Sequence, residues 1–237
     1  MDKHDESSCR DADRVYVELR RKILMLNLDP GAVLDESRIV QEMGTSRTPV
    51  REAIIRLVSE GLLRRDGRQI RVSTFEVKQL RAFFEGMTLM SRSVHRMAAA
   101  RRTPQQLEAI RAALLTFENE VSKGDEIRIS EANHAFHLAI ANAADSVFIQ
   151  RGYEELLVES LRLARQCFSR GEEPESTRRE HLARTITDHK AVYDAIERRD
   201  VDEADRITTQ HCHLFRERLS DQILGPPTEA VCISLAD

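Results

Sequence analysis

Apolar residues recur at intervals of three and four along most of the chain, and the places where that rhythm stops divide it into elements. Val15, Leu19, Ile23 and Leu26 share one face of a first helix predicted over 13–27, which ends where Pro30 adjoins Gly31. Ile39, Val40 and Met43 mark a short second helix over 36–43, followed by Gly44 at the left-handed position that suits a helix end. In a third, Val50, Ile54, Leu57 and Val58 face inward. Ser46 or Thr48 is placed to cap its start, and Pro49 fits its first turn, where an N–H has no helical partner. This helix ends near Glu60-Gly61. The period then changes: two short apolar runs, the second alternating at Ile70 and Val72, flank Asp66-Gly67, which is the pattern of a tight hairpin.

From residue 76 onward no stretch alternates as a strand would. Six helices are predicted, over 76–101, 104–123, 126–143, 145–169, 176–199 and 202–221. The breaks fall at Thr103-Pro104, Gly124-Asp125, Asp145-Ser146, Gly171 to Pro174, and Asp200. The expected fold is mostly α: a head of three helices and a hairpin, then an all-α antiparallel helical bundle. Expected boundaries are a disordered tail over 1–12, a head over 13–75, a bundle over 76–222 and a frayed tail over 223–237.

A length of 237 residues leaves room for two modest domains, each with its own core. The content of 41% apolar and 32% charged residues, with nine Gly and six Pro, fits a soluble, strongly helical chain and excludes fibrous or disordered classes. No apolar run approaches the roughly 18 residues needed to cross a bilayer, and the start MDKHDESSCRDAD is charged where a signal peptide would be apolar. A cytoplasmic protein is expected. The four cysteines lack any CxxC spacing, as reduced thiols would.

The net charge of −4 hides an asymmetry, because residues 14–72 hold 12 Lys or Arg against 8 Asp or Glu, a net of +4 that leaves −8 for the rest. A basic head on an acidic body suits a nucleic-acid binder with a separate sensing or assembly domain. Distant acids matter little to such a head, since salt screens them over about 8–10 Å. The position of the basic residues is more telling than their number. Arg47 and Arg51, four apart and sharing a face with Thr48, lie opposite the apolar face of the third helix. A helix laid in the major groove meets base edges through its N-terminal residues. There Arg reaches guanine O6 and N7 together, and the hydroxyls of Ser46 and Thr48 reach phosphates. In the hairpin, Gly67 permits close backbone approach and Arg65 and Arg68 are available to phosphates or the minor groove. Arg56 differs: Glu52 and Glu60 flank it at four-residue spacing, so it reads as an ion-paired surface residue.

These residues carry a resemblance. Pro30-Gly31, Leu34, Glu36, Gly44, the run Ser46-Arg47-Thr48-Pro49-Val50-Arg51-Glu52-Ala53, Leu57 and Glu60-Gly61-Leu62 resemble the winged helix-turn-helix of GntR-type bacterial transcription regulators over residues 14–73. Many relatives carry Arg directly after the Glu that opens the second helix. Here Ser37 stands there, so the resemblance leaves that contact either absent or supplied by Arg38.

In the body, Asn133 and His137 lie four apart on one helical face, and His189 and His211 each lie eleven residues from Asp200. If Asp200 marks the turn of an antiparallel helix pair, both imidazoles sit roughly 16 Å from that turn and can share one ion. The bland alternative is three partly buried histidines paired with neighbours such as Asp188. His134 and His213 fall on adjacent faces, and Cys212 reads as packing. This half resembles the FCD effector-binding domain of the FadR branch, through Arg81 and Glu85, Phe136-His137, His189 to Ala195 and Ala204 to His211.

That resemblance implies a divalent transition metal, zinc or nickel, held by Asp and three His. Asn133 here takes the place of the Asp, so the ligand set loses one negative charge while an amide oxygen remains. It also implies a small carboxylate effector, for which Arg81, Glu85, Arg162 and Arg165 are candidate contacts because Arg grips carboxylates as a fork. The expectation is a homodimeric regulator, a repressor of a double-stranded DNA operator and not an enzyme. The rival is a metal-dependent enzyme using the histidines, but the sequence shows no general base or substrate route for it.

Overall fold

The computed structural model describes residues 3–74, 77–168 and 174–224. They fall into two compact units, one up to Val77 and one from Lys78.

The first unit runs α1 (Lys3–Leu24), β1 (Val33–Leu34), α2 (Glu36–Met43), α3 (Arg47–Ser59), β2 (Leu63–Asp66) and β3 (Gln69–Val72). α1 begins at Lys3, ahead of the expected 13, and nothing between there and Leu24 is a Gly or Pro that would stop a helix. It also stops before the expected 27, since Leu26 turns left-handed at φ 56° and the amides of Asn27 and Leu28 reach back to the Lys22 carbonyl. Val15, Leu19 and Ile23 of α1 pack with Val50, Ala53, Ile54 and Leu57 of α3 in a closed core. A polar cluster fastens the same pair of helices. The Tyr16 hydroxyl donates to Glu60 at 2.6 Å, and the Arg56 guanidinium lies 3.9 Å from the Tyr16 ring centre while bonding Asp13. Arg56 is thus ion-paired, but to a residue of α1 instead of its helical neighbours, because the crossing helix brings a carboxylate closer than the i±4 positions do.

Asp35 caps α2 by accepting from the Ser37 and Arg38 amides, and Gly44 ends it at φ 59°. Ser46 is the N-cap of α3, yet its side chain makes no capping bond. The hairpin closes with Asp66 opposite Gln69, so its two loop residues are Gly67 and Arg68, one place later than the Asp-Gly pair suggests. Gly67 takes φ +60° at the first loop position, where a type II′ turn needs glycine. β1, too short to show an alternation, pairs with β3 and completes a sheet of order β1-β3-β2.

After a 3-10 turn (Val77–Gln79), the second unit comprises α4 (Leu80–Arg101), α5 (Pro104–Lys123), α6 (Glu126–Ala143), α7 (Val147–Phe168), α8 (Glu175–Glu197) and α9 (Val201–Leu224). Thr103 and Gln106 form a reciprocal capping box at the start of α5, and Asp125 caps α6. The turns use left-handed residues at Gly124, Asp145 and Arg199. α4 is the central helix, packed on α6, α7, α8 and α9. The predicted break beginning at Gly171 lies outside the described residues up to Pro174. So does the frayed tail beyond Leu224, whose first two expected residues belong to α9. Among the described residues no helix is long and apolar enough to cross a membrane.

Candidate functional site

Each unit carries one surface or cavity with chemistry. In the first, Ser46, Arg47 and Thr48 stand exposed at the leading end of α3, with Arg51 one turn further on. Arg47 has no side-chain partner among the described residues, and neither do Arg64, Arg65 or Arg68 in the hairpin. Arg51 touches Glu36 at 3.3 Å and Arg38 touches Glu42 at 2.8 Å, but both guanidiniums are mostly exposed, so these bonds cost little to exchange for a phosphate or base. Because Ser46 makes no side-chain cap, the first amides of α3 also remain for an anion. Arg71 is unlike the others: it bonds Asp66, Gln69 and the Gly31 carbonyl, and so braces the hairpin. Every residue expected from the sequence to meet DNA is exposed on this unit, and Arg64 is added by its exposure beside Arg65.

In the second unit three helices bring His137 (α6), His189 (α8) and His211 (α9) together. One ring nitrogen from each lies within 4.8 Å of the others, and the ring centres are 4.9 to 5.4 Å apart. His189 is fully buried. Phe136 stacks on its ring at 4.3 Å, Phe117 lies at 4.8 Å, and neither ring nitrogen has a hydrogen-bond partner. The Nδ1 of His137 is also unpartnered. A buried polar atom left without a partner costs about 1–3 kcal/mol, so unpartnered nitrogens on two of the three converging rings fit a ligand set better than a packed core. The Nδ1 of His211 sits 3.3 Å from Asp188 Oδ2. A carboxylate there would orient the ring with Nε2 free to ligate, the usual arrangement behind a metal-bound imidazole. The donor set therefore fits a divalent transition metal.

Beside the cluster lies a cavity with about 140 Å³ open to the centre of a water molecule, far more than one water requires. Asn133, His137 and His211 line it, with walls that include Phe117, Leu161 and Phe215. The candidate contacts Arg81, Glu85, Arg162 and Arg165 are not among its described lining residues. Arg81 and Glu85 form an exposed pair at 2.9 Å, a contact their four-residue spacing makes inevitable on a helix. Arg162 and Arg165 are buried; Arg162 bonds Glu159 at 2.7 Å and Arg165 bonds the Ile127 carbonyl at 3.1 Å. The arginine that does line the cavity is Arg218, accompanied by His181, His134 and Cys212. Arg218 and His181 escaped sequence reasoning because they sit a turn or more beyond the matched histidines. The signal available was only their helical phase: Arg218 follows His211 by seven residues, two turns along α9.

Burial pushes His137 and His189 toward neutrality, the form that binds metal. His137 and His189 lie well below the usual histidine range because they are desolvated, His181 is pushed down to about 3 chiefly by burial, and His95 to about 4 by burial despite its 2.6 Å contact with the Ser91 carbonyl. His95 sits edge-on to His137 and was also missed by the sequence reading. The unfolded chain takes up protons on these rings below about pH 6.5 and the folded one does not, so stability is complete above that pH and is lost as pH falls toward 4. For His95 alone the loss between pH 7 and pH 5 is about 2 kcal/mol. Denaturant midpoints of chelator-treated protein at the two pH values measure it, and the loss shrinks by that share in His95→Leu; a pH-independent midpoint contradicts it.

Comparison with known proteins decides what these two sites belong to. Residues 11–72 match the description "Bacterial regulatory proteins, gntR family", and residues 83–214 match "FCD domain". The chain is a GntR-family transcription regulator with an FCD domain. The transcriptional repressor RspR of Escherichia coli K12 is 27% identical over 205 residues, 86% of either chain. A regulator in an unstable DNA locus of Streptomyces ambofaciens is 51% identical over 49 residues, 21% of either chain. The structure of E. coli McbR/YncC shares the fold, with a TM-score of 0.76 at 23% identity over 90% of this chain and 98% of that one. GntR-family regulators bind DNA operators, FCD domains bind small-molecule effectors, and neither the family nor these relatives are enzymes. The rival enzyme reading is therefore set aside.

Proposed function

We propose that this GntR regulator is a homodimeric repressor, working in the cytoplasm, whose affinity for its operator is set by a small carboxylate in the FCD cavity beside a zinc or nickel ion. The observation that carries the proposal is the meeting of three imidazoles, two of them with unpartnered buried nitrogens, at the edge of a cavity large enough for a metabolite. His137, His189 and His211 would hold the ion, with Asn133 one helical turn before His137 offering an amide oxygen. The ion would supply positive charge for a carboxylate, and Arg218, which lines the same cavity, is of the type that grips one as a fork.

On the DNA side, Ser46, Arg47, Thr48 and Arg51 read the major groove. Arg38 and the hairpin's Arg65, Gly67 and Arg68 contact the backbone or minor groove. Two copies would place two such heads on a pseudo-palindromic operator. RspR is a repressor, which favours repression over activation here. The carboxylate controls the operator only by differing in affinity for the DNA-competent and incompetent states. Operator titrations of metal-loaded protein with a panel of carboxylates should show at least one that shifts the affinity by about 5-fold or more. Curves that superimpose for every acid up to saturation of the cavity count against the effector role.

A further inference from the structure

The turn between α2 and α3 sets where the leading end of α3 points, and little apolar packing holds it. Ile39 is the buried residue of α2. Within the turn, the amides of Gly44 and Thr45 reach back to the Gln41 and Val40 carbonyls over 3.3 Å each, and Ser46 adds no side-chain cap. A brace of side chains from α1 holds the turn from outside. Arg14 Nη2 donates to the carbonyl of Met43, the last residue of α2, at 2.9 Å and to Asp11 Oδ1 at 3.1 Å. The Thr45 hydroxyl donates to Asp11 Oδ2 at 3.0 Å. One guanidinium nitrogen thus ties the end of α2 to a carboxylate, and that carboxylate continues to the residue two places before Arg47. Asp11 lies ahead of residue 13, in the part of α1 that the apolar rhythm leaves out.

Resting on the base-reading role proposed for α3, we infer that Asp11 is a positioning residue for DNA recognition. Through Thr45 directly, and through Arg14 to the Met43 carbonyl, it fixes the turn that aims Ser46, Arg47 and Arg51 at the groove. A forked hydrogen bond to a guanine edge needs its donors in a narrow range of place and direction, so a looser turn weakens base reading first. Contacts to phosphate carry no sequence information, and binding to an arbitrary duplex survives the same loosening. Charge alone predicts the opposite outcome. Asp11 places a negative charge one residue from the end of α3 that meets a polyanion, and its removal by itself should tighten binding to any duplex. Position and charge therefore give opposite signs on a preferred sequence.

The probes are a duplex that the wild-type protein selects from a random-sequence library and a scrambled duplex of the same length, each titrated by anisotropy with full-length protein. Asp11→Ala should bind the selected duplex about 5-fold or more weakly, and the scrambled one at least as tightly as wild type. Asp11→Asn removes the same charge but keeps a hydrogen-bonding partner for Thr45, and should restore most of the preference. Thr45→Val should reproduce the loss with the carboxylate still in place, and adding Asp11→Ala to it should weaken binding no further. A preference unchanged in Asp11→Ala and Thr45→Val overturns the inference. So does an equal loss in Asp11→Ala and Asp11→Asn, or a loss of the same size on both duplexes. Arg51→Ala, measured alongside, separates this from the reading it rests on. A preference lost in Arg51→Ala alone removes the positioning role and leaves base reading intact, whereas a preference unchanged in Arg51→Ala as well removes both. Thr45→Val decides the matter should Asp11→Ala fail to fold.

Discussion

Replacing Arg51 by alanine weakens binding to the natural operator by about 1–3 kcal/mol and relaxes the preference for one base pair in each half-site. The reason lies in what the fold leaves free. The apolar face of α3 is used up against α1, with Val50, Ala53, Ile54 and Leu57 sealed in the core, so Arg51 contributes nothing to that packing. Its bond to Glu36 is a single exposed contact at 3.3 Å, which a base edge can replace. Stability should therefore hardly change, and Arg47→Ala, which removes a side chain with no partner among the described residues, should leave the melting temperature as it is. Arg65→Ala and Arg68→Ala act differently: they weaken operator and random DNA alike and reduce the salt dependence, because phosphate contacts carry no sequence information. Gel-shift or anisotropy titrations on operator and scrambled duplex at two salt concentrations separate the two classes. Equal losses on both duplexes for Arg51→Ala contradict its role in reading bases.

The second large effect is on metal. His189→Ala should reduce the zinc or nickel bound after purification to the background of chelated protein, since it removes one of three converging donors and two unpartnered nitrogens at once. His211→Ala should do the same, and Asp188→Asn should weaken binding about 10–100-fold by loosening the orientation of the His211 ring. His213→Ala is the control, because His213 faces outward and pairs with Glu217. Elemental analysis of the four variants reads the result directly. Equal metal in wild type and His189→Ala contradicts the site.

Helical phase made the bundle legible in the sequence. A residue eleven places before Asp200 and one eleven places after it do meet, because α8 and α9 fold back at that turn and rise equally per residue, which brings the His189 and His211 rings to 4.9 Å. Phase also placed Arg47 and Arg51 on the open side of α3. What it does not hold is which helix lies against which. Asp13 reaches Arg56 only because α1 crosses α3, and β1 exists only because β3 lies beside it. The same limit applies to the candidate effector contacts. Arg162 and Arg165 look like cavity residues when arginine is taken as a carboxylate binder, but their places on α7 bury them against Glu159 and the start of α6, whereas Arg218 reaches the cavity from the far part of α9. His95 shows the limit from the other side: a lone histidine in α4 carries no spacing signal, and only its 6.0 Å approach to His137 makes it part of the cluster.

Operator recognition depends on the first turn of α3 entering the major groove. Methylation interference at guanine N7 tests that most directly, since the methyl group sits where a guanidinium would bond. With wild-type protein, methylation of at least one guanine per half-site should block binding. In Arg51→Ala or Arg47→Ala the interference at that guanine should disappear while the remaining positions keep theirs. An interference pattern identical in wild type and both variants would mean that α3 does not read the groove with these side chains.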